Sequence, residues 1–330
     1  MIRLHLAAPL VLLVALQGCS PSSSARPSVA LLIVGSMGKT AGRMYQPRAI
    51  AVDPASGGFY VADRSGRILQ YDGSGKPLRE WFLPEYANGQ PVGIALESDG
   101  NLLVNDSHYH RILRYSHDGT TLIGQWGTEG KGPGQFTFGR DIVVDRERFI
   151  YAGDYGGQND RIQKFSRDGR FMLEWGGCGE EPGKFQRPQG MAVDPTGAEE
   201  TILVADCSNH RVQRFTREGK WLSSLGRLGV GPGELRYPIS VTVGADGTVY
   251  VCEWGNHRIQ GFDASGRFRG FWGQAGRAPG ELSHPWDVAV GPGGKIYVAD
   301  CDNNRVQVFR WSLQGLALDA AGAPAESRHP

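Results

Sequence analysis

The 330-residue chain carries 35 Lys and Arg against 34 Asp and Glu, a formal net charge of +1. Such a balance leaves no basic footprint for nucleic acid and excludes that class of partner. None of its five cysteines forms a Cys-x-x-Cys pair, which by spacing excludes a zinc ribbon or a thioredoxin-like motif.

The N-terminus reads as a targeting segment. Residues 1–5 give a short basic start and residues 7–16 an apolar run without an acid, too short for a permanent membrane helix. A signal peptide over residues 1–18 is predicted. Leu16-Gln17-Gly18-Cys19 follows and resembles the bacterial lipobox. That resemblance implies cleavage before Cys19 and lipidation of its thiol, with several acyl chains holding the protein stably at a membrane surface. The mature chain is then expected outside the cytoplasm in the bacterial cell envelope, touching the membrane through its lipid anchor only. Loss of Arg3 with the leader leaves 34 basic and 34 acidic residues. Residues 19–28, rich in serine and proline, read as a flexible tether. No later segment is apolar for long enough to cross a bilayer.

From residue 29 to residue 311 the chain repeats itself. An arginine opens an apolar stretch at Arg67, Arg111, Arg161, Arg211, Arg258 and Arg305, at intervals of 44, 50, 50, 47 and 47 residues. Periods of this length mark propellers or solenoids. Each period holds four short strand patterns separated by turns rich in Gly, Pro, Asp and Asn, which supply the positive φ angles and local hydrogen bonds of hairpins. The first two strands are apolar on both sides and so need cover on two faces. No sustained 3.6-residue period supports a helical solenoid. The predicted fold is an all-β, six-bladed propeller.

The last repeat stops after its third strand at Arg310, and an orphan strand at residues 30–34 precedes the first. The N-terminal strand is therefore expected to complete the last blade and close the ring, with residues 316–318 as the competing closure. Residues 312–330 form an Ala/Gly-rich tail predicted to be disordered. Of the cysteines in the propeller, Cys178 and Cys207 are the more reachable pair, with buried free thiols as the equal alternative; Cys207 and Cys301 stand two blades apart.

Asn209-His210-Arg211, Asn256-His257-Arg258 and Asn303-Asn304-Arg305, together with Tyr-Val-Ala-Asp and Trp-Gly, make the repeats similar to the NHL family. The resemblance implies the propeller but leaves function open, since such folds host binding proteins, lyases, lactonases and sensor domains.

Residues just after the proline of each inner strand should line the channel mouth: Arg48, Val92, Arg140, Gln189, Ile239 and Trp286, then Ala49, Gly93, Asp141, Gly190, Ser240 and Asp287. Amidating lyases of similar fold place zinc-binding histidines at such positions, and none is present here. His110, His210 and His257 fall in the signature loop and read as loop residues bonded to backbone; His284 alone is near the mouth. The recurring acids Asp63, Asp106, Asp154, Asp206, Glu253 and Asp300 read as partners of their own turns and of the arginines. Asp141, Gln189 and Asp287 could imitate the carboxylate and amide set of lactonase-like propellers. The glycine-rich run 130–134 lacks P-loop spacing and reads as a crossing loop.

Where the repeats disagree, function is expected. Blade three has two extra loop residues after Tyr155 and Gly139 in place of proline; Trp254 and Trp286 introduce aromatic groups near Arg48 and Arg140. Exposed aromatics beside arginine make recognition hot spots. The candidate ligand-binding face is thus Arg48, Arg140, Asp141, Tyr155, Gln189, Trp254, Trp286 and Asp287, with no catalytic residue, no metal and no cofactor assigned. The expected function is that of a monomeric, non-catalytic platform recognising a protein, peptide or glycan of the envelope. The alternative is a metal-dependent lyase or lactonase working at the channel mouth.

Overall fold

The computed structural model describes residues 30–119 and 121–310. The expected signal peptide (1–18), the lipidated Cys19, the tether (19–28) and the tail (312–330) lie outside the described residues. Among those described, no helix is long and apolar enough to cross a membrane.

Six four-stranded antiparallel sheets make up the molecule. In blade four the strands are Pro188–Asp194, Thr201–Asp206, Arg211–Thr216 and Trp221–Leu225, paired in that order from the channel outwards. The second strand is buried along nearly its whole length and the fourth mostly exposed. That gradient is why the inner strands read as continuous apolar runs. The first strands pack against one another in a closed cycle, the sixth against the first. Separate apolar clusters fill the spaces between neighbouring sheets, such as Ala192, Leu203, Val241, Val251 and Phe262 between blades four and five.

Ring closure follows the N-terminal route. Leu32–Val34 pairs antiparallel with Arg305–Arg310, in the register Leu32 to Val308 and Val34 to Val306. The last sheet is therefore built from both ends of the propeller, and Val34 is buried with Met44, Tyr297 and Val306. A side chain at Gly75, where φ is 85°, would come within 2.5 Å of Val34 Cγ2, so the closing strand lies tight against the first blade.

The repeated arginine has a definite task. Its guanidinium pairs with the acid that ends the second strand: Arg67 with Asp63 at 3.0 Å, Arg111 with Asp106 at 3.0 Å, Arg211 with Asp206 at 2.8 Å, Arg258 with Glu253 at 2.6 Å and Arg305 with Asp300 at 2.7 Å. The same guanidinium also donates to carbonyls of the loop entering its blade. Arg258, for example, donates to the carbonyls of Val230, Gly231 and Glu234. Four blades add a buried glutamine two residues on. Gln163, Gln213, Gln260 and Gln307 each donate to a carbonyl of that loop and accept one of its N–H groups. The acids accept further backbone N–H groups, Asp206 from Gln186 and Asp300 from Ser283. Residues 130–134 sit in one of these crossing loops, where Glu129 bridges to Phe136.

The signature histidines occupy a left-handed position, φ 53° at His110, 57° at His210 and 53° at His257, with Asn304 at 55°. Histidine and asparagine tolerate that region better than most residues. His210 Nδ1 accepts the N–H of Tyr237 and His257 Nδ1 that of His284, each tying one blade to the next. Cys178, Cys207, Cys252 and Cys301 are all free; Cys178 is exposed and the others buried. The pairing of Cys178 with Cys207 is thus not formed.

Candidate functional site

Arg48, Val92, Arg140, Gln189, Ile239 and Trp286 line a single cavity at one end of the channel, with Asp141, Gly190, Ser240 and Asp287 beneath them. Each comes from the start of an inner strand or just before it, so the propeller's rotation turns one repeat position into a ring. Deeper in, the channel wall is mostly aliphatic, including Ile50, Ile94, Ile142, Met191, Val241 and Val288.

The two carboxylates fasten blades together. Asp141 Oδ2 accepts the N–H of Met191 in blade four, and its Oδ1 that of Ile142. Asp287 Oδ2 accepts the N–H of Ile50 in blade one, while its Oδ1 takes the N–H of Val288 and the hydroxyl of Ser240. Desolvation raises both acids, and the charge of Asp287 adds to the rise at Asp141; the backbone donors pull the other way. All four oxygens are thus engaged within the ring. Gln189, the third residue of the lactonase-like reading, is buried beside them.

The arginines at the mouth stand apart from the six latch arginines. Arg48 lies with its guanidinium 4.0 Å over the Trp286 ring. Arg140 lies 4.4 Å over Tyr155 and donates to its hydroxyl, and Arg187 approaches the same ring at 5.4 Å. Burial lowers the pKa of both Arg48 and Arg140. Trp254 and Trp286 are half-buried, not exposed as the hot-spot reading supposed, because Trp254 stacks on His284 at 4.4 Å and Trp286 lies beneath Arg48. His284 Nδ1 also contacts Asp302 at 2.8 Å.

Beside the mouth opens a pocket of about 330 Å³ lined by Arg140, Arg187, Gln189, Cys207, Tyr237, Ile239, Trp254 and Trp286. Sequence reasoning nominated Arg140, Gln189, Trp254 and Trp286 but missed Arg187 and Tyr237. Both immediately precede the inner-strand proline, and both have positive φ, 56° and 49°. The available signal was variation at that position, where Gln46, Gln90, Phe138 and His284 stand in other blades. Asp141 and Asp287 lie under the mouth and outside this pocket, and Tyr155 supports it from behind Arg140.

Burial pushes the Cys207 thiol up to about 12, so it is not a thiolate at neutral pH. Among the described residues, no three His, Cys, Asp or Glu side chains converge to hold a metal. A zinc site of the amidating-lyase kind does not fit, since its positions carry no histidine and the two carboxylates already accept N–H bonds.

The NHL repeat model matches residues 185–215, 235–262 and 282–309. Peptidylglycine alpha-amidating monooxygenase of Rattus norvegicus is 28% identical over 174 residues, half of this chain and 16% of the relative. NHL repeat-containing protein 3 of Mus musculus is 31% identical over 178 residues, 48% of this chain and 49% of the relative. The chain thus spans half or less of either. Among solved structures, a streptogramin B lyase superposes with a TM-score of 0.58 at 16% identity, covering 88% of this chain and 90% of the other. A gluconolactonase from Xanthomonas campestris gives 0.60 at 13% identity, covering 87% and 99%. Such likenesses concern the fold. Three matched repeats, continued by further blades of the same geometry, show that this chain carries NHL repeats within a six-bladed β-propeller.

Proposed function

We propose that this propeller is a non-catalytic recognition platform, held at the envelope surface by a lipidated Cys19 and presenting its channel mouth to a protein, peptide or glycan partner. The observation that carries the reading is the convergence of Trp254, Trp286 and Tyr237 with Arg140 and Arg187 on one pocket of about 330 Å³. Pockets of about 300–1,000 Å³ suit small ligands or an anchoring group of a larger partner, and aromatic residues with arginine carry most of the energy at recognition sites. Catalysis finds less support. The pocket's thiol is not activated, and its neighbouring carboxylates, Asp287 with the Ser240 hydroxyl upon it, are engaged in holding blades together.

The test is affinity for a partner captured from envelope extracts by the full chain. Trp286→Ala combined with Arg140→Ala should weaken binding by about tenfold or more, the usual consequence of removing two anchors. Undiminished affinity in a folded double variant removes the mouth face as the binding surface.

A further inference from the structure

The latch arginines each meet a carboxylate; the half-buried Arg140 and the exposed Arg187 of the pocket do not. Arg140 and Arg187 converge on Tyr155, and among the described residues the one hydrogen bond from either side chain is that of Arg140 to the Tyr155 hydroxyl. Among the described residues neither forms an ion pair, and the Nε of Arg140 is buried without a partner. Besides burial, the positive charge of Arg187 lowers the pKa of Arg140, so the two cations repel each other across the gap. Holding the half-buried Arg140 guanidinium close to that of the exposed Arg187 with no anion between them is costly, and the cost is relieved by a ligand that brings one.

The rest of the lining indicates what carries the anion. The Tyr237, Trp254 and Trp286 rings share the pocket with the amide of Gln189. The backbone N–H groups of those three aromatic residues are spent internally, on His210 Nδ1, the Tyr237 carbonyl and the Ala299 carbonyl respectively. A peptide backbone would find no donors from them. Flat apolar rings flanked by an amide suit instead a ligand with flat C–H faces and hydroxyl groups. From these features, and resting on the mouth-face recognition proposed above, we infer that the pocket binds a carboxylate-bearing sugar, a uronic acid of one or two rings, with its carboxylate between Arg140 and Arg187.

The experiment is calorimetric titration of the full chain with digalacturonate, the neutral disaccharide of galactose, and a tripeptide with a free C-terminal carboxylate. Digalacturonate should bind at least about tenfold more tightly than the neutral sugar, and its affinity should fall as salt is raised. Arg187→Gln and Arg140→Gln should each weaken it by about tenfold, with Arg187→Gln, at the looser of the two ring contacts, as the safeguard should Arg140→Gln misfold. Equal binding of the neutral sugar, tighter binding of the tripeptide, no loss in a folded Arg187→Gln variant, or no binding of digalacturonate each overturns the inference. In any of these cases, loss of partner affinity in the Trp286→Ala, Arg140→Ala double variant would still uphold the broader mouth-face reading. Retention of that affinity would remove the broader reading by itself.

Discussion

A two-residue insertion in one blade loosens one of the repeated contacts between arginine and acid. Arg and its acid are five residues apart in blades two, four, five and six, but Asp154 and Arg161 are seven apart because of the inserted loop, and their contact lengthens to 3.5 Å. Desolvation outweighs the backbone donors and Arg161 at Asp154, as it outweighs the partners of Asp106, Asp206, Glu253 and Asp300, and raises its pKa from 3.8 to about 6. A carboxyl raised in the folded state binds more protons folded than unfolded. Its contribution to stability is therefore complete below pH 3.8 and lost as pH rises through about 6. Asp154→Asn should remove this slope, an upper limit of about 3 kcal/mol between the two ends. Urea midpoints of wild type and variant from pH 4 to pH 7 check it, and parallel curves would refute it. Arg258→Ala, by contrast, strands the fully buried Glu253 beside it and should cost about 3–5 kcal/mol at neutral pH, read from the same midpoints.

Strands and loops were legible in the chain to different degrees. The arginine landmarks, the alternating turns and the two-sided apolar runs located every sheet, because each repeat must meet the same packing demand. The closing strand was visible because the last repeat ran out one strand early. Removing residues 29–35 should expose the edge of Arg305–Arg310 and the apolar side of Val34's neighbours, lowering stability by on the order of 3 kcal/mol. Thermal unfolding of the truncated chain checks this, and an unchanged midpoint would mean the ring closes otherwise. The pocket beside the mouth was half legible. Proline-plus-one residues point to the mouth by simple periodicity, whereas Arg187 and Tyr237 reach it only through a left-handed backbone turn that apolar spacing does not encode. Gly139 is a second case. A Cβ there would stand 2.3 Å from Asn105 Oδ1, and Asn105 is a buried, unpartnered amide where three other blades have alanine. Two departures from the repeat, one in each of two neighbouring blades, are a single packing event.

At the scale of the whole disc, each latch arginine holds the connector that leads into its own sheet: Arg161 reaches residues 131–135, Arg211 reaches 181–184 and Arg305 reaches 278–281. The natural unit of inheritance is therefore not one wedge of four strands. It is a span running from an upstream linker through the third strand of the sheet that clasps it. A chimera cut at sheet borders would separate guanidinium from linker at both seams, whereas one cut in the hairpin before a fourth strand would carry every clasp intact into its new host.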